Sequence, residues 1–270
     1  DDTGLLYTTV EIPLIPVLAE MEDNGVCIDK QFAQELAVKY KEKLGHVELR
    51  ITAYLKTLDY TVLPLEKRGK LSNPINIGSP TQLAIILYDM FNLTSPDKQK
   101  PRGTGEEILE HFTEMSPDIS LFADILEYRE YNKLLSTYIE KMPNEVLTLT
   151  GKLHAHFNQY GAKTGRFSSS DPNLQNIPSK NKEIRKMFVA SKGYVFVGND
   201  YSQQEPRVLA FASGDENMIN AYKEGRDLYA WMGSLVYKVP YEECKEFLPD
   251  GTKNPEGKKR RDSMKNLVLG

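Results

Sequence analysis

The first half of the chain places apolar residues at the spacing of amphipathic helices. Apolar side chains recur three and four positions apart over residues 12–24 and again, with charges between them, over residues 29–58. Ser79 and Ser116 are each followed by proline, a pair typical of an N-cap and the first helical position. The pattern therefore predicts a mainly helical region, with helices beginning at both Ser-Pro pairs.

The pattern changes near Gly151. Residues 153–158 alternate apolar and polar side chains with a period of two, which predicts a half-buried strand. The apolar residues 194–197 predict a second strand. Helical spacing then returns over residues 205–212, 216–224, 228–237 and 256–270. A helical first half before a mixed second half predicts an α+β fold, with domains over 1–150 and 151–270.

Composition narrows the classes of protein to which the chain could belong. The formal net charge of −4 is unlike that of a dedicated non-specific DNA binder, so any nucleic-acid site must be a local basic patch. Cys27 and Cys244 lie far apart in sequence, which predicts two free thiols. We find no apolar run near 18 residues and no signal-peptide pattern, so we expect a soluble protein with no membrane contact.

Residues 164–178 (TGRFSSSDPNLQNIP) are rich in neutral side chains that form hydrogen bonds, with Arg166 among them. Arginine suits phosphate oxygens, and amide side chains suit the acceptor atoms of the minor groove. The segment could therefore read a nucleic-acid duplex. The alternative is a Ser/Asn/Pro-rich turn that binds nothing.

Two carboxylates follow the apolar residues 194–197. Asp200 comes directly after this predicted strand, and Glu205 lies five positions further on. A carboxylate at a strand end can bind Mg²⁺, which prefers hard oxygen ligands and uses only one or two carboxylates plus substrate phosphates. The alternative is that Asp200 or Ser202 caps the next helix.

The last predicted helix carries Arg261, Lys265 and Leu269 at positions i, i+4 and i+8. They form one stripe of two cations and an apolar residue, which would suit a nucleoside triphosphate. The alternative is a solvated basic face.

Taken in this order, the segments resemble the family A DNA polymerases, of the bacterial DNA polymerase I type. Residues 164–178 are similar to a family signature, and residues 200–207 (DYSQQEPR) resemble motif A. Arg261 and Lys265 resemble the start of motif B on the fingers helix, and residues 134–139 resemble a thumb segment. The resemblance implies a thumb over 1–150 and a partial palm, with the start of the fingers helix, over 151–270.

The resemblance also implies roles for individual residues. Asp200 and Lys265 would be catalytic, and Asp200 with the Tyr201 carbonyl would bind Mg²⁺. The nucleotide would be bound by Gln203, Glu205, Arg261, Lys265 and Leu269, with Glu205 disfavouring a ribose 2′-OH. The DNA would be contacted by Arg129, Arg166, Ser168, Asn173, Gln175, Asn176 and Arg185.

The implied activity is template-directed DNA synthesis in the parent enzyme, with a DNA primer–template and deoxynucleoside triphosphates as partners. We expect a monomer in the cytoplasm of a bacterial or phage-infected cell. The chain ends inside motif B, so we expect the second catalytic carboxylate to be missing and these residues alone to be inactive. We also expect no proofreading exonuclease. The alternatives are a non-catalytic duplex-binding fragment and an RNA-synthesising variant.

Several positions depart from the family pattern. Gln204 and Pro206 replace apolar residues of motif A, a variant associated with phage and prophage members. Leu269 stands where the family usually has an aromatic residue, which affects stacking on the incoming base. Tyr229 stands where many bacterial members carry histidine.

Overall fold

The fold is taken from a computed structural model, which describes residues 2–179 and 181–269, the side chain of Leu269 excepted. Contacts divide the chain into two compact units, Asp1–Phe196 and Val197–Gly270. Both units are mainly helical, and the described strands are short and antiparallel, so the predicted α+β class is confirmed. The predicted domain boundary at 150/151 stays a prediction.

The first unit holds nine α-helices and four strands among its described residues. In chain order they are α1 Asp2–Leu6, α2 Ile12–Asn24, β1 Cys27–Ile28, α3 Lys30–Lys56, α4 Leu65–Arg68, α5 Pro80–Ala84, α6 Glu106–Met115, α7 Ser120–Lys133, α8 Lys141–Asn144, β2 His156–Asn158, β3 Ser168–Ser170, α9 Lys182–Arg185 and β4 Phe188–Val189. Stretches of π-helix occupy Tyr7–Glu11, Ile85–Met90 and Leu134–Ile139, and a 3₁₀ turn occupies Tyr60–Val62.

The second unit has four α-helices and a 3₁₀ turn among its described residues. They are α10 Gln204–Ser213, α11 Glu216–Lys223, α12 Leu228–Tyr237, the turn Tyr241–Cys244 and α13 Pro255–Leu269. All four helices were predicted from the apolar spacing, with bounds that differ by at most one residue at each end.

Helix α3 is the longest described element and forms where the sequence predicts it. Asp29 caps it, because its side chain accepts a hydrogen bond from the backbone N–H of Phe32 at 2.9 Å. The helix continues through Gly45. Its buried side chains, spaced mostly at three, four and seven positions, are Ala33, Leu36, Tyr40, Val47, Ile51 and Leu55.

These side chains enter two hydrophobic cores of the first unit. The C-terminal half of α3 packs on one core, built with α6, α7 and the stretch around Leu87. The N-terminal half packs on a second core with the π-helix Leu134–Ile139, Leu153 and Ile184. One helix therefore joins both cores.

Strands β1 and β4 pair antiparallel, as do β2 and β3. The predicted alternation over residues 153–158 is confirmed, since Leu153 and Ala155 are buried whereas His156 is exposed. Regular pairing covers only β2, and Leu153 instead bridges to Val26. Gly25, which ends α2 with φ +54°, makes this approach possible, because a Cβ there would lie 2.8 Å from the His154 ring and the Leu153 carbonyl.

Two predictions of secondary structure were wrong. Ser116 ends α6 instead of beginning a helix, and α7 begins at Ser120. Residues 194–197 form no strand and are largely exposed, with Tyr194 at 77%. A strand needs a neighbour for its backbone hydrogen bonds, and no described residue pairs with this segment. Asp200 therefore follows an exposed segment.

The expected absence of a long apolar run needs correction. Among the described residues, one helical stretch, Asp2–Asn24, is long and apolar enough to cross a membrane by length and composition alone. A single such helix is weak evidence, since core helices of soluble proteins and signal sequences pass the same test. The Glu22 carboxylate on this stretch accepts a hydrogen bond from the Phe157 backbone N–H. Both cysteines, Cys27 and Cys244, are free thiols as predicted.

An ion-pair cluster supports a pH prediction. Asp89 accepts a bidentate contact from Arg102, at 2.6 and 3.1 Å, and a further bond from Lys67 at 2.7 Å. The Arg102 guanidinium, with help from Lys67, holds the pKa of Asp89 below its ordinary value. A lowered folded-state pKa contributes stability that is present above the unfolded pKa, near 4, and is lost as pH falls through the folded pKa.

We therefore expect Asp89→Asn to lower the free energy of unfolding by roughly 1 kcal/mol at pH 7, with the difference shrinking below about pH 4. Urea unfolding of both proteins across this range measures it. Asp118→Asn is the matched control, because Asp118 is exposed and has no ion pair among the described residues. A difference that stays constant down to pH 2 would contradict the assignment.

Candidate functional site

The segment that resembles motif A leads into α10 through a left-handed residue. Asp200 is exposed, and no described residue forms a hydrogen bond with its carboxylate. Gln203 has φ +53° and sits at the N-cap position, and α10 begins at the next residue. Pro206 is buried in the first turn, where a proline costs no helical hydrogen bond. The departure at this position therefore suits the local helix.

Two of the predicted nucleotide-binding residues meet at a residue that the sequence did not single out. Gln203 Nε2 donates to Asp227 Oδ2 at 2.7 Å. Arg261 donates to the same oxygen through Nε at 3.2 Å and Nη2 at 2.9 Å. Residues distant in sequence are thus joined by a single carboxylate oxygen.

Two tyrosines contact the partners of this carboxylate. The Arg261 guanidinium lies 5.4 Å from the centroid of the Tyr229 ring. Tyr222 donates through its hydroxyl to Gln203 Oε1 at 3.1 Å, and burial raises the pKa of Tyr222 to about 12. The tyrosine therefore stays protonated and keeps orienting the Gln203 amide at neutral pH.

The other predicted nucleotide-binding residues lie on the same two helices. Lys265 is exposed, one turn beyond Arg261 on α13. Glu205 is exposed in the first turn of α10. Leu269 ends α13, and its side chain lies outside the described residues. Of these nucleotide-binding predictions, the structure joins Gln203 and Arg261, through their shared Asp227 oxygen.

The described residues offer few possible ligands for Mg²⁺. Among the described residues, no group of three His, Cys, Asp or Glu side chains could hold a metal ion. Asp200 supplies one accessible carboxylate, and the Tyr201 carbonyl is adjacent in the chain. Mg²⁺ commonly uses one or two carboxylates and completes its shell with water and substrate phosphates. These residues therefore fit Mg²⁺ as a partial site that substrate phosphates would complete.

The predicted DNA-binding segment forms an exposed turn on the first unit. Leu174 and Ile177 pack against the second core, and the Tyr138 hydroxyl donates to the Asn176 carbonyl at 2.6 Å. Anchoring these residues leaves Asn173, Gln175 and Asn176 exposed. The Asn173 side-chain oxygen accepts from the backbone N–H groups of Gln175 and Asn176, so it stabilises the turn.

The remaining predicted DNA contacts lie in different surroundings. Arg166 and Arg185 are exposed, and Ser168 lies half-buried in β3. Arg129 is half-buried on α7 and donates to the Thr104 carbonyl at 2.5 Å. Burial lowers the pKa of the Arg129 guanidinium from its ordinary value. Arg129 is thus held by the protein itself, and its role toward DNA stays a prediction.

Comparisons with known proteins agree with the sequence resemblance. The family model described as DNA polymerase family A matches residues 30–254. "DNA polymerase I, thermostable" of Thermus aquaticus is 39% identical over 243 residues, which cover 88% of this chain and 27% of that protein. "DNA polymerase I" of Chloroflexus aurantiacus is also 39% identical, over 87% of this chain and 24% of its own length.

A solved structure matches the whole chain. It is the POL domain of Pol1 from M. smegmatis in complex with DNA primer-template and dNTP, with a TM-score of 0.80 and 27% sequence identity. The match covers 100% of this chain and 43% of that one. The chain thus spans about a quarter of the length of the curated relatives named above.

Proposed function

Because the chain belongs to DNA polymerase family A, we propose that it is the part of a DNA polymerase that grips a primer–template and binds the incoming deoxynucleoside triphosphate. The parent enzyme would extend a DNA primer on a DNA template. A phage or prophage origin and a monomeric state stay predictions.

The observation that carries the proposal is the contact of Gln203 and Arg261 with one Asp227 oxygen. Both residues were assigned to the nucleotide from motifs far apart in sequence, and they lie together in the folded unit. Lys265 adds an exposed cation one turn further along α13. This arrangement suits the phosphates of a nucleotide, because cations on one helix face can bind successive phosphate groups.

Each residue would then have a distinct task. Arg261 and Lys265 would hold the triphosphate, and Lys265 would donate a proton to the leaving pyrophosphate. Glu205, exposed at the start of α10, would leave too little room for a ribose 2′-OH. The primer 3′-OH would attack the α-phosphate in line, with pyrophosphate as the leaving group.

Asp200 and the Tyr201 carbonyl would hold Mg²⁺ together with the substrate phosphates. When bound, the metal would supply charge neutralisation at the attacking and leaving oxygens. Since no group of three His, Cys, Asp or Glu side chains among the described residues could hold a metal ion, we propose that these 270 residues alone bind their substrates without sustained synthesis.

The exposed turn at Asn173, Gln175 and Asn176 would contact the duplex, with Arg166 and Arg185 directed to phosphates. Support comes from the exposure of these side chains on a turn whose apolar residues are anchored in the core. The binding would depend on salt, because each phosphate contact releases counterions.

Binding of a fluorescent primer–template at increasing salt tests the DNA part of the proposal. We expect measurable affinity at low salt that falls steeply as salt rises, and Arg166→Ala should reduce the slope of log K against log salt by about one. Lys30→Ala is the control, because Lys30 is an exposed cation that the sequence did not assign to DNA. Absence of binding at low salt would overturn the proposal.

A further inference from the structure

Asp227 belongs to none of the motifs described above, yet its carboxylate and its backbone N–H form five hydrogen bonds. Its Oδ2 atom accepts three N–H groups, one from Gln203 and two from Arg261. Its Oδ1 atom accepts the backbone N–H of Ala230 at 2.9 Å and so caps α12. Its own backbone N–H donates to the Tyr241 hydroxyl at 2.8 Å.

The two carboxylate oxygens therefore have separate tasks. Oδ1 serves the helix, and an asparagine would serve it equally well, because Asn and Asp are similar N-caps. Among the described residues, Oδ2 binds only the side chains of Gln203 and Arg261, which together form the nucleotide edge. Capping of α12 by Oδ1 does not require Oδ2 to accept hydrogen bonds from the Arg261 guanidinium.

From this geometry, and resting on the proposed function, we propose that Asp227 is a positioning residue for the nucleotide edge. The Asp227 carboxylate fixes the Arg261 guanidinium by binding its Nε and Nη2 groups, and it also binds the Gln203 side-chain amide. Arginine and glutamine lose much rotational freedom when they bind a ligand. Because Asp227 orders both side chains beforehand, less of that freedom remains to be lost when a triphosphate arrives.

If Asp227 instead competed with the phosphate for Arg261, its removal would have the opposite effect on nucleotide binding. A carboxylate beside Arg261 repels a phosphate, so removing its charge would tighten binding if Asp227 acted mainly as a competitor. The Arg261 side chain is 23% exposed and the Asp227 side chain 28% exposed, so the pair is only partly open to solvent. The Arg261 Nη1 group does not bind Oδ2 and lies 3.7 Å from the Asp262 carboxylate, which is half-exposed. A phosphate that takes the place of Asp262 at Nη1 would leave the contact to Oδ2 intact, which favours positioning.

The test compares wild-type protein with Asp227→Asn and Asp215→Asn. Asparagine at 227 keeps the cap but presents an amide that cannot accept from both Gln203 and Arg261. Asp215 is the matched control, because it caps α11 through the Asn217 and Met218 N–H groups and has no ion pair among the described residues. Affinity for Mg²⁺–dATP is measured by calorimetry, and the Arg261 Nε–H resonance is followed by NMR without nucleotide.

We expect Asp227→Asn to bind dATP about tenfold more weakly, the low end of the effects seen when groups that orient metal ligands are removed. It should also lose the protected Arg261 Nε–H resonance, whereas Asp215→Asn should leave both unchanged. A purely structural role would lower thermal stability without changing the affinity of the folded protein.

Equal or tighter binding by Asp227→Asn overturns the inference and leaves the proposed function standing. If the wild-type protein binds no dATP although its Arg261 Nε–H resonance is protected, the proposed nucleotide binding fails, and the inference fails with it. The two failures are therefore distinguishable.

Discussion

Replacing Phe122 by alanine is expected to lower the free energy of unfolding of the first unit by about 3–5 kcal/mol. Phe122 is 0% exposed, and its ring lies 5.5 Å from Phe91 and 5.9 Å from Phe112, centroid to centroid. The substitution removes a large apolar side chain from the middle of this aromatic group and leaves a cavity that its neighbours fill only in part.

Urea unfolding measures this effect, and Phe211→Ala provides the same chemical change at an exposed position. The Phe211 side chain is 87% exposed, so its removal should change the free energy of unfolding by less than about 0.5 kcal/mol. A loss below about 1 kcal/mol for Phe122→Ala would contradict the position given to this ring in the first core.

Replacing Arg261 by alanine is expected to weaken binding of Mg²⁺–dATP about 10- to 100-fold, the equivalent of about 1.5–3 kcal/mol for hydrogen bonds to a charged group. The guanidinium is already held by Asp227 and stands beside the Tyr229 ring. Its loss removes a phosphate-binding cation and also leaves the Asp227 carboxylate without its counter-ion.

Lys259→Ala is the matched control for Arg261, because it removes one positive charge from the exposed surface of the same helix. Calorimetry with dATP should find its affinity within about twofold of the wild-type value, since exposed charges contribute little. If both substitutions weaken dATP binding equally, the affinity depends on the general positive charge of α13, and the assignment of Arg261 to the nucleotide phosphates is wrong.

Local sequence signals predicted much of the helical framework. Ser79 is an N-cap in the structure, as its position before proline indicated, and the helix predicted from residue 29 begins directly after its cap Asp29. Cap chemistry acts between neighbouring residues, so it can be read from sequence. The same signal failed at Ser116, because a Ser-Pro pair also follows the end of a helix, and α6 ends there. Helix α6 itself was missed, since Gly105 at its N-cap has no side chain to indicate a beginning.

The strand expected over residues 194–197 failed for a different reason. Apolar residues indicate that a segment can be buried, but pairing depends on a partner elsewhere in the chain. Here Tyr194, Val195, Phe196 and Val197 are exposed. Asp200 therefore does not stand at the end of a strand among the described residues.

The sequence predicted residues of the candidate site but not the contacts between them. Gln203, Arg261 and Lys265 came from motif resemblance, and their roles stay predictions. Asp227 was missed because its only sequence signal is a cap position before the apolar start of α12. Its contact with Arg261 depends on how α12 and α13 pack, which no spacing along the chain specifies.

The most direct test of the central claim uses a primer–template whose primer ends in a dideoxynucleotide, so that no extension occurs. Fluorescence anisotropy measures its affinity for the chain with Mg²⁺ and each of the four deoxynucleoside triphosphates in turn. Template-directed nucleotide binding predicts that the complementary nucleotide tightens the DNA complex about tenfold, equivalent to about 1.4 kcal/mol, and that the other three do not. If none of the four changes the affinity, or all change it equally, the claim is contradicted and a duplex-binding fragment remains.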